Sequence, residues 1–223
     1  LRLEPNASRV LLRGLEMGKG TAHPERLMAL DPSGAAPSIE GLRGTDPAFG
    51  LPSVWIPPGD RSRAEAMGLT LVDAASVITT HLSELLRRNA HELLGRQEVQ
   101  DLLGLLGKEV PKLVEDVVPG TIALGELVRV LRGLLREGVS VRDLRSVLEA
   151  VADGAARSKD TAWLVECARR RLARQITGRV SSGDGVVRAL TLDRSTEDLL
   201  RQSLGQTDGD PALLAHDTDR AAV

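Results

Sequence analysis

Histidines are the first residues to test for chemistry, because imidazole ligates metals and moves protons near neutral pH. The chain has four. His81 and Glu84 stand three apart in a helical pattern, and His91 follows about three turns later. A structural zinc takes four ligands and no other cluster offers the missing ones, so a solvated helix face is the expected role of these residues. His23 and His216 fall in loop-like contexts without partners. Gly14, Gly18, Lys19 and Gly20 hint at a phosphate loop. A Walker A loop, however, needs four residues between its glycines and Ser or Thr after the lysine, and this sequence has three and then Gly20. No G-x-S-x-G elbow, H-E-x-x-H pair or dinucleotide fingerprint is present. Neither a catalytic residue nor a metal or cofactor site is expected. Arg169, Arg170, Arg171 and Arg174 form the densest basic cluster, but Asp160 and Glu166 sit among them and Trp163 is the one nearby aromatic. That favours an exposed helix face or a subunit contact over nucleic-acid binding.

Composition narrows the remaining classes. A net charge of −2, from 29 basic and 31 acidic residues, gives no global field to recruit nucleic acid or an anionic membrane. The single cysteine, Cys167, excludes an internal disulfide and a cysteine-based metal site; its helical context suggests a small core residue, and a reducing compartment is expected. No apolar run reaches the ~18 residues of a membrane span, and the start LRLEPNASRV has no signal-peptide core. Opening on Leu rather than Met suggests a piece of a longer protein. One Phe, two Trp and no Tyr leave aromatic anchoring few locations, and Phe49 and Trp55 share a seven-residue window.

The elements that must position these residues read as follows. Residues 9–17 suggest a strand and Met17-Gly-Lys-Gly a turn into a second strand ending near Pro24. Residues 25–58 are rich in Pro and Gly around the short apolar runs 27–30 and 54–56, followed by a helical piece at 65–69 and a strand at 70–72. Residues 73–94 read as one long helix capped by Asp73 or Ser76. Its expected core face is Ile78, Leu82, Leu85, Leu86, Asn89 and Leu93, with Thr80, Glu84, Arg87, Arg88 and His91 opposite. Beyond Gly95 the chain is almost wholly helical. Its stripes are Val99, Leu102, Leu103 and Leu106; then Leu124, Leu127, Val128, Leu131, Leu134 and Leu135; then Val141, Leu144, Val147, Leu148 and Val151. Asp160 or Thr161 caps a further helix to about Ile176. After a polar linker, a strand is expected at 186–192 and a helix from the Ser195–Asp198 cap to about Leu204, with a polar tail that buries little.

Five segments in order, GTDPAFGLPSVWI, GLTLVDAASVITTHLSELL, AHELLGRQEVQ, PKLVEDVVPG and LLREGVSVRDLRSVLEAVAD, resemble the cytosolic C-terminal domain of the FlhA/SctV family. These are large export-gate proteins of type III secretion. The resemblance runs from about Arg9 to Thr177 and fades after about Leu204. DPAFGL and HELLGRQE look more like the flagellar branch than the injectisome (virulence) branch. It implies an α+β fold of several subdomains. Residues 1–24 and 74–93 would form a truncated, split α/β (ferredoxin-like) first subdomain, with 25–73 inserted as a small second. Residues 94–173 would be a helical third, and 174–223 part of an α/β fourth.

The resemblance further implies a non-enzymatic platform under a membrane domain absent from this chain. It assembles as a ring of nine, contacts other export-apparatus proteins and receives export chaperones with bound substrates. The positions matching the family's chaperone-docking depression are Asp46, Phe49 and Thr80. The residues themselves allow that reading, since the lone Phe adjoins an Asp-Pro turn and Thr80 is expected on the outward face of the long helix. They equally allow Phe49 as an ordinary core residue and Asp46 as a turn former.

Overall fold

In a computed structural model, which describes residues 3–181, 183, 185–207 and 210–213, the first part of the chain is built around a short strand buried on both faces. An antiparallel hairpin comes first, β1 (Ala7–Leu12) and β2 (Leu15–Thr21). It turns at Arg13-Gly14, both with positive φ (50° and 85°), the geometry a two-residue hairpin loop demands. The turn expected at 17–20 is therefore displaced: Gly18 and Gly20 lie within β2, opposite Val10 and Ser8.

The strands β3 (Leu27–Leu30), β4 (Leu42–Thr45), β5 (Pro52–Ile56) and β6 (Thr70–Asp73) form a sheet in the order β4-β5-β3-β6, every pair antiparallel. Strand period alone sorts its side chains. Leu27, Ala29, Val54 and Ile56 face one core with Ile39, Leu69 and Ala64 of α1 (Arg61–Ala66), whereas Met28 and Trp55 face a second with Ala22, Ala74 and Val77. That explains why Leu27-Met-Ala-Leu30 carries no polar alternation.

Helix α2 (Ala74–Arg88) covers the second face, and Asp73 caps it by accepting Ser76 N–H at 2.9 Å. Its buried residues are Ala74, Val77, His81 and Leu85. The expected core face is thus turned by roughly a quarter of the circumference at 100° per residue. Ile78 (46% exposed), Leu82 (42%) and Leu86 (47%) face outward instead. The helix follows its β partners, which hold His81 inside, rather than the stripe with the most apolar residues. After α3 (Ala90–Leu93), Leu94 is an extended break, Leu93 is 40% exposed, and Arg132 Nε donates to the Leu94 carbonyl at 2.7 Å.

The helical stretch comprises α4 (Arg96–Leu106), α5 (Pro111–Val117), α6 (Leu124–Arg136), α7 (Leu144–Ala155) and α8 (Thr161–Arg171). Glu98 and Glu126 each reach back to the backbone N–H three residues earlier, Gly95 at 2.8 Å and Ala123 at 2.7 Å. Asp143 and Asp160 cap α7 and α8 by accepting Ser146 N–H and Trp163 N–H. Helix α6 is central, with Leu127, Val130, Leu131 and Leu134 all inaccessible to solvent. The expected stripe is present, and Val130 widens it because α6 meets α3, α4 and α8. Gly133 lets α8 approach, since a methyl there would stand 2.7 Å from a Val165 methyl. Cys167 is half-buried on α8 against Gly154.

The expected single helix to Ile176 breaks at the buried Leu172, and α9 (Ala173–Val180) begins anew. By contacts the chain divides into Leu1–Ala173 and Arg174–Val223. The second unit holds α10 (Arg194–Ser203) and an antiparallel pair, β7 (Leu204–Thr207) and β8 (Asp210–Leu213). No strand forms at 186–192. Among the described residues an isolated bridge, Ser181 to Val187, is made there, and Val186, Leu190 and Leu192 are exposed, so little burial rewards a strand. Most of the polar tail, including His216, lies outside the described residues. The chain is mixed α+β.

Candidate functional site

Asp46–Leu51 is the six-residue loop joining β4 to β5; its first half is tucked in and its second half, Phe49 to Leu51, is exposed. Asp46 is 4% exposed and Ala48 3%, whereas Phe49 is 58% exposed and Leu51 37%. The Asp46 backbone continues the ladder, donating to Leu51 O at 2.8 Å and accepting Gly50 N–H at 2.8 Å. Its carboxylate accepts Ala48 N–H at 3.3 Å and Phe49 N–H at 3.1 Å. A buried carboxylate satisfied by its own turn is what an Asx turn supplies. Gly50, at φ 72°, closes the loop in a conformation most side chains avoid. Phe49, the chain's one phenylalanine, therefore projects into solvent from a fixed turn and is not a core residue.

Helix α2 holds this loop from below. Arg88 Nη2 donates to the Ala48 carbonyl at 3.2 Å. His81 is 5% exposed, wedged between β2 and Pro47. A methyl on Gly18 would stand 2.7 Å from a Leu85 methyl and 3.0 Å from His81 Nε2. On Gly20 it would stand 2.8 Å from Pro47 Cβ and 3.3 Å from His81 Nδ1. The glycines that hinted at a phosphate loop are thus close-approach positions in a strand, and no loop opens there onto a helix N-terminus. Burial pushes the His81 imidazole below the ordinary histidine range; Asp46 draws it back up and Arg88 adds to the fall. The expected solvated role of His81 is overturned, because α2 turns this residue inward.

Of the expected site residues, Asp46 and Phe49 are joined in one hydrogen-bonded turn. Thr80 is exposed on α2, next to His81 and one turn before Glu84, roughly 12 Å along the axis from Arg88 at ~1.5 Å per residue. No side-chain hydrogen bond joins it to the turn among the described residues. Sequence reasoning missed Gly18, Gly20, His81, Glu84 and Arg88 as parts of this site. Their only signal was glycine at alternate positions in a strand, which marks a close backbone approach.

The other candidates resolve differently. His23 does have partners: Asn6 Nδ2 lies 3.4 Å from its Nδ1, and its ring meets Trp55 edge-on at 5.2 Å. Arg169 pairs with Glu137 at 2.7 Å and also with Glu166, Arg170 pairs with Glu166 at 2.9 Å, and Arg171 pairs with Glu149 at 2.5 Å. These three guanidiniums are already matched by carboxylates, which leaves little field for phosphates. Among the described residues no three His, Cys, Asp or Glu side chains lie together as metal ligands.

A family model described as the FHIPEP family matches residues 1–222, extending past the point where the resemblance was expected to fade. The flagellar biosynthesis protein FlhA of Yersinia enterocolitica is 41% identical over 204 residues, which is 92% of this chain and 30% of that protein. The FlhA of Proteus mirabilis is 39% identical over 223 residues, 100% of this chain and 32% of that protein. Among solved structures, the Chlamydia pneumoniae CdsV protein aligns with a TM-score of 0.80 at 28% identity, covering 97% of this chain and 62% of that one. The nonameric EPEC SctV-C, seen by cryo-EM, aligns with a TM-score of 0.70 at 25% identity, covering 99% and 67%. The chain spans about 30% of the length of the curated relatives it matches.

Proposed function

The chain belongs to the FHIPEP family, and on that premise we propose that it forms part of a docking platform beneath a bacterial type III protein export gate of the flagellar kind. Export chaperones carrying their substrates land on a surface that presents Phe49 and Thr80, with the buried Asp46 bracing the turn under Phe49, and the platform hands the substrates to the membrane channel. One observation carries this reading. The chain's single phenylalanine is 58% exposed on a turn whose backbone N–H groups at Ala48, Phe49 and Gly50 are all bonded to Asp46. A large apolar side chain held out at low entropic cost is the usual form of an interface anchor.

The flagellar assignment rests on the FlhA relatives, 39% and 41% identical, against 28% and 25% for CdsV and SctV-C; an injectisome gate is the alternative. A nonameric relative supports a ring of nine, and the Chlamydia pneumoniae CdsV and CdsO complex supports contacts with other export-apparatus proteins. Among the described residues no helix is long and apolar enough to cross a membrane. The chain spans about 30% of the length of its FlhA relatives, and the proposal places the platform at the cytoplasmic face of the inner membrane. The reading requires no cofactor, nucleotide or nucleic acid.

The test compares melting temperature and affinity for a flagellar chaperone with its bound substrate on the same Phe49→Ala and Asp46→Ala proteins. Truncating an aromatic anchor contributes about 2 kcal/mol or more, so Phe49→Ala should weaken the complex at least ~30-fold while leaving the melting temperature in place. A folded Phe49→Ala protein with unchanged affinity would remove the docking assignment.

A further inference from the structure

The peptide unit between Ala48 and Phe49 is held at both ends by opposite charges. Its N–H, that of Phe49, donates to the Asp46 carboxylate at 3.1 Å, and its carbonyl, that of Ala48, accepts from the Arg88 guanidinium at 3.2 Å. A loop peptide bonded at only one end can rotate about the ψ and φ that flank it, here those of Ala48 and Phe49. With an anionic acceptor on one side and a cationic donor on the other, a single plane satisfies both. That plane sets the direction in which Phe49 leaves the backbone.

Arg88 is itself held. Its Nε donates to Glu84 Oε1 at 3.0 Å, while Arg87 Nη1 takes Glu84 Oε2 at 3.0 Å. Glu84 has only 15% of its side chain exposed, whereas Arg88 has 58%. A half-buried carboxylate one turn back leaves the guanidinium fork two tasks, one edge on Glu84 and another on the Ala48 carbonyl. Lysine, whose three N–H donors radiate from one nitrogen, lacks the spread of the planar fork that serves both acceptors. We infer that Arg88, aimed by Glu84, is the positioning residue of the docking turn: it fixes the Ala48–Phe49 peptide and with it the direction of Phe49. This inference rests on the docking reading above for its consequence in binding, but the clamp itself is testable without a partner.

The first arm follows the Phe49 amide by nitrogen-15 NMR and hydrogen exchange in the wild type, Arg88→Ala, Arg88→Lys and Glu84→Gln, with melting temperature as the folding control. Arg88→Ala should speed exchange at Phe49 about 10-fold at nearly unchanged melting temperature, as expected on losing a charged hydrogen bond. Arg88→Lys and Glu84→Gln should fall between, and they carry the test if Arg88→Ala does not fold. Unchanged exchange at Phe49 in all the folded variants overturns the clamp. The second arm measures affinity for a flagellar chaperone with its bound substrate. Arg88→Ala should weaken it about 10-fold in the wild type and not further in Phe49→Ala. An equal loss in both backgrounds would mean that Arg88 touches the partner directly, which overturns the positioning role. Faster exchange with no effect of either Arg88→Ala or Phe49→Ala on affinity upholds the clamp and removes the docking reading instead.

Discussion

The β-rich first part of the chain and the helical stretch after Leu94 divide polar and apolar side chains in opposite ways. In the helical stretch the apolar stripes are inside, and the outer arginines of α8 are matched by glutamates. Within the described residues the buried polar side chains are Asp46, Ser53 and His81, all in the first part, and that part also exposes Phe49, Leu51, Ile78, Leu82 and Leu86. A region optimised only for its own stability would reverse both placements. The contrast separates a scaffold from a surface: one part is held by packing, whereas the other spends stability on presenting apolar groups from a polar-braced turn.

If that division holds, the largest single effect lies in the scaffold. Leu131→Ala empties a site with no solvent access and should cost about 2–5 kcal/mol in denaturant unfolding, while affinity per folded molecule stays the same. A loss below about 1 kcal/mol would mean that the helical core is not packed as described.

Next comes the seam under the docking turn. Gly18→Ala places a methyl 2.7 Å from Leu85 and 3.0 Å from His81, so these two α2 side chains must give way, at a cost of about 1–3 kcal/mol. Unlike Leu131→Ala, it should also move the Phe49 amide resonance. Stability loss without that movement would uncouple α2 from the turn. At the outer face, Arg169→Ala breaks pairs with Glu137 and Glu166 and should cost no more than about 1 kcal/mol, with no effect on chaperone affinity.

The pH dependence sharpens the same contrast. With its pKa below that of the unfolded chain, His81 binds protons more readily when unfolded. Its contribution to stability is therefore complete above the ordinary histidine pKa near 6.5 and is lost as pH falls below it. Urea midpoints should drop between about pH 7 and pH 5, and His81→Gln should flatten that part of the profile; an unflattened profile would place the titrating group elsewhere.

Much of this was readable before any coordinates. The caps Asp73 and Asp160 and the stripe of α6 follow from local spacing, and local spacing is what sequence periodicity reports; 27–30 and 54–56 showed only as apolar runs, and the pairing that makes them β3 and part of β5 is not local. The edge strand β4, Leu-Arg-Gly-Thr, escaped because all four residues are exposed and carry no alternation. The face of α2 was misread because Ile78, Leu82 and Leu86 make a richer apolar stripe than Ala74, Val77, His81 and Leu85, and only the β2 glycines and Pro47 decide which one is buried. Asp46 and Phe49 were singled out by family resemblance together with an Asp-Pro turn. Arg88 could not be, because its contact lies 40 residues away in sequence.

The outward flank of α2 also affects how solution measurements on this chain are read. Ile78, Leu82 and Leu86 recur every four residues, a continuous greasy ridge about two turns long. Such a ridge takes up hydrophobic dyes, clings to chromatography resins and finds its own copies as concentration rises. Light scattering or sedimentation of these 223 residues alone would then register this ridge alongside any ring contact. A charged substitution at Leu82 is the control that tells the two apart.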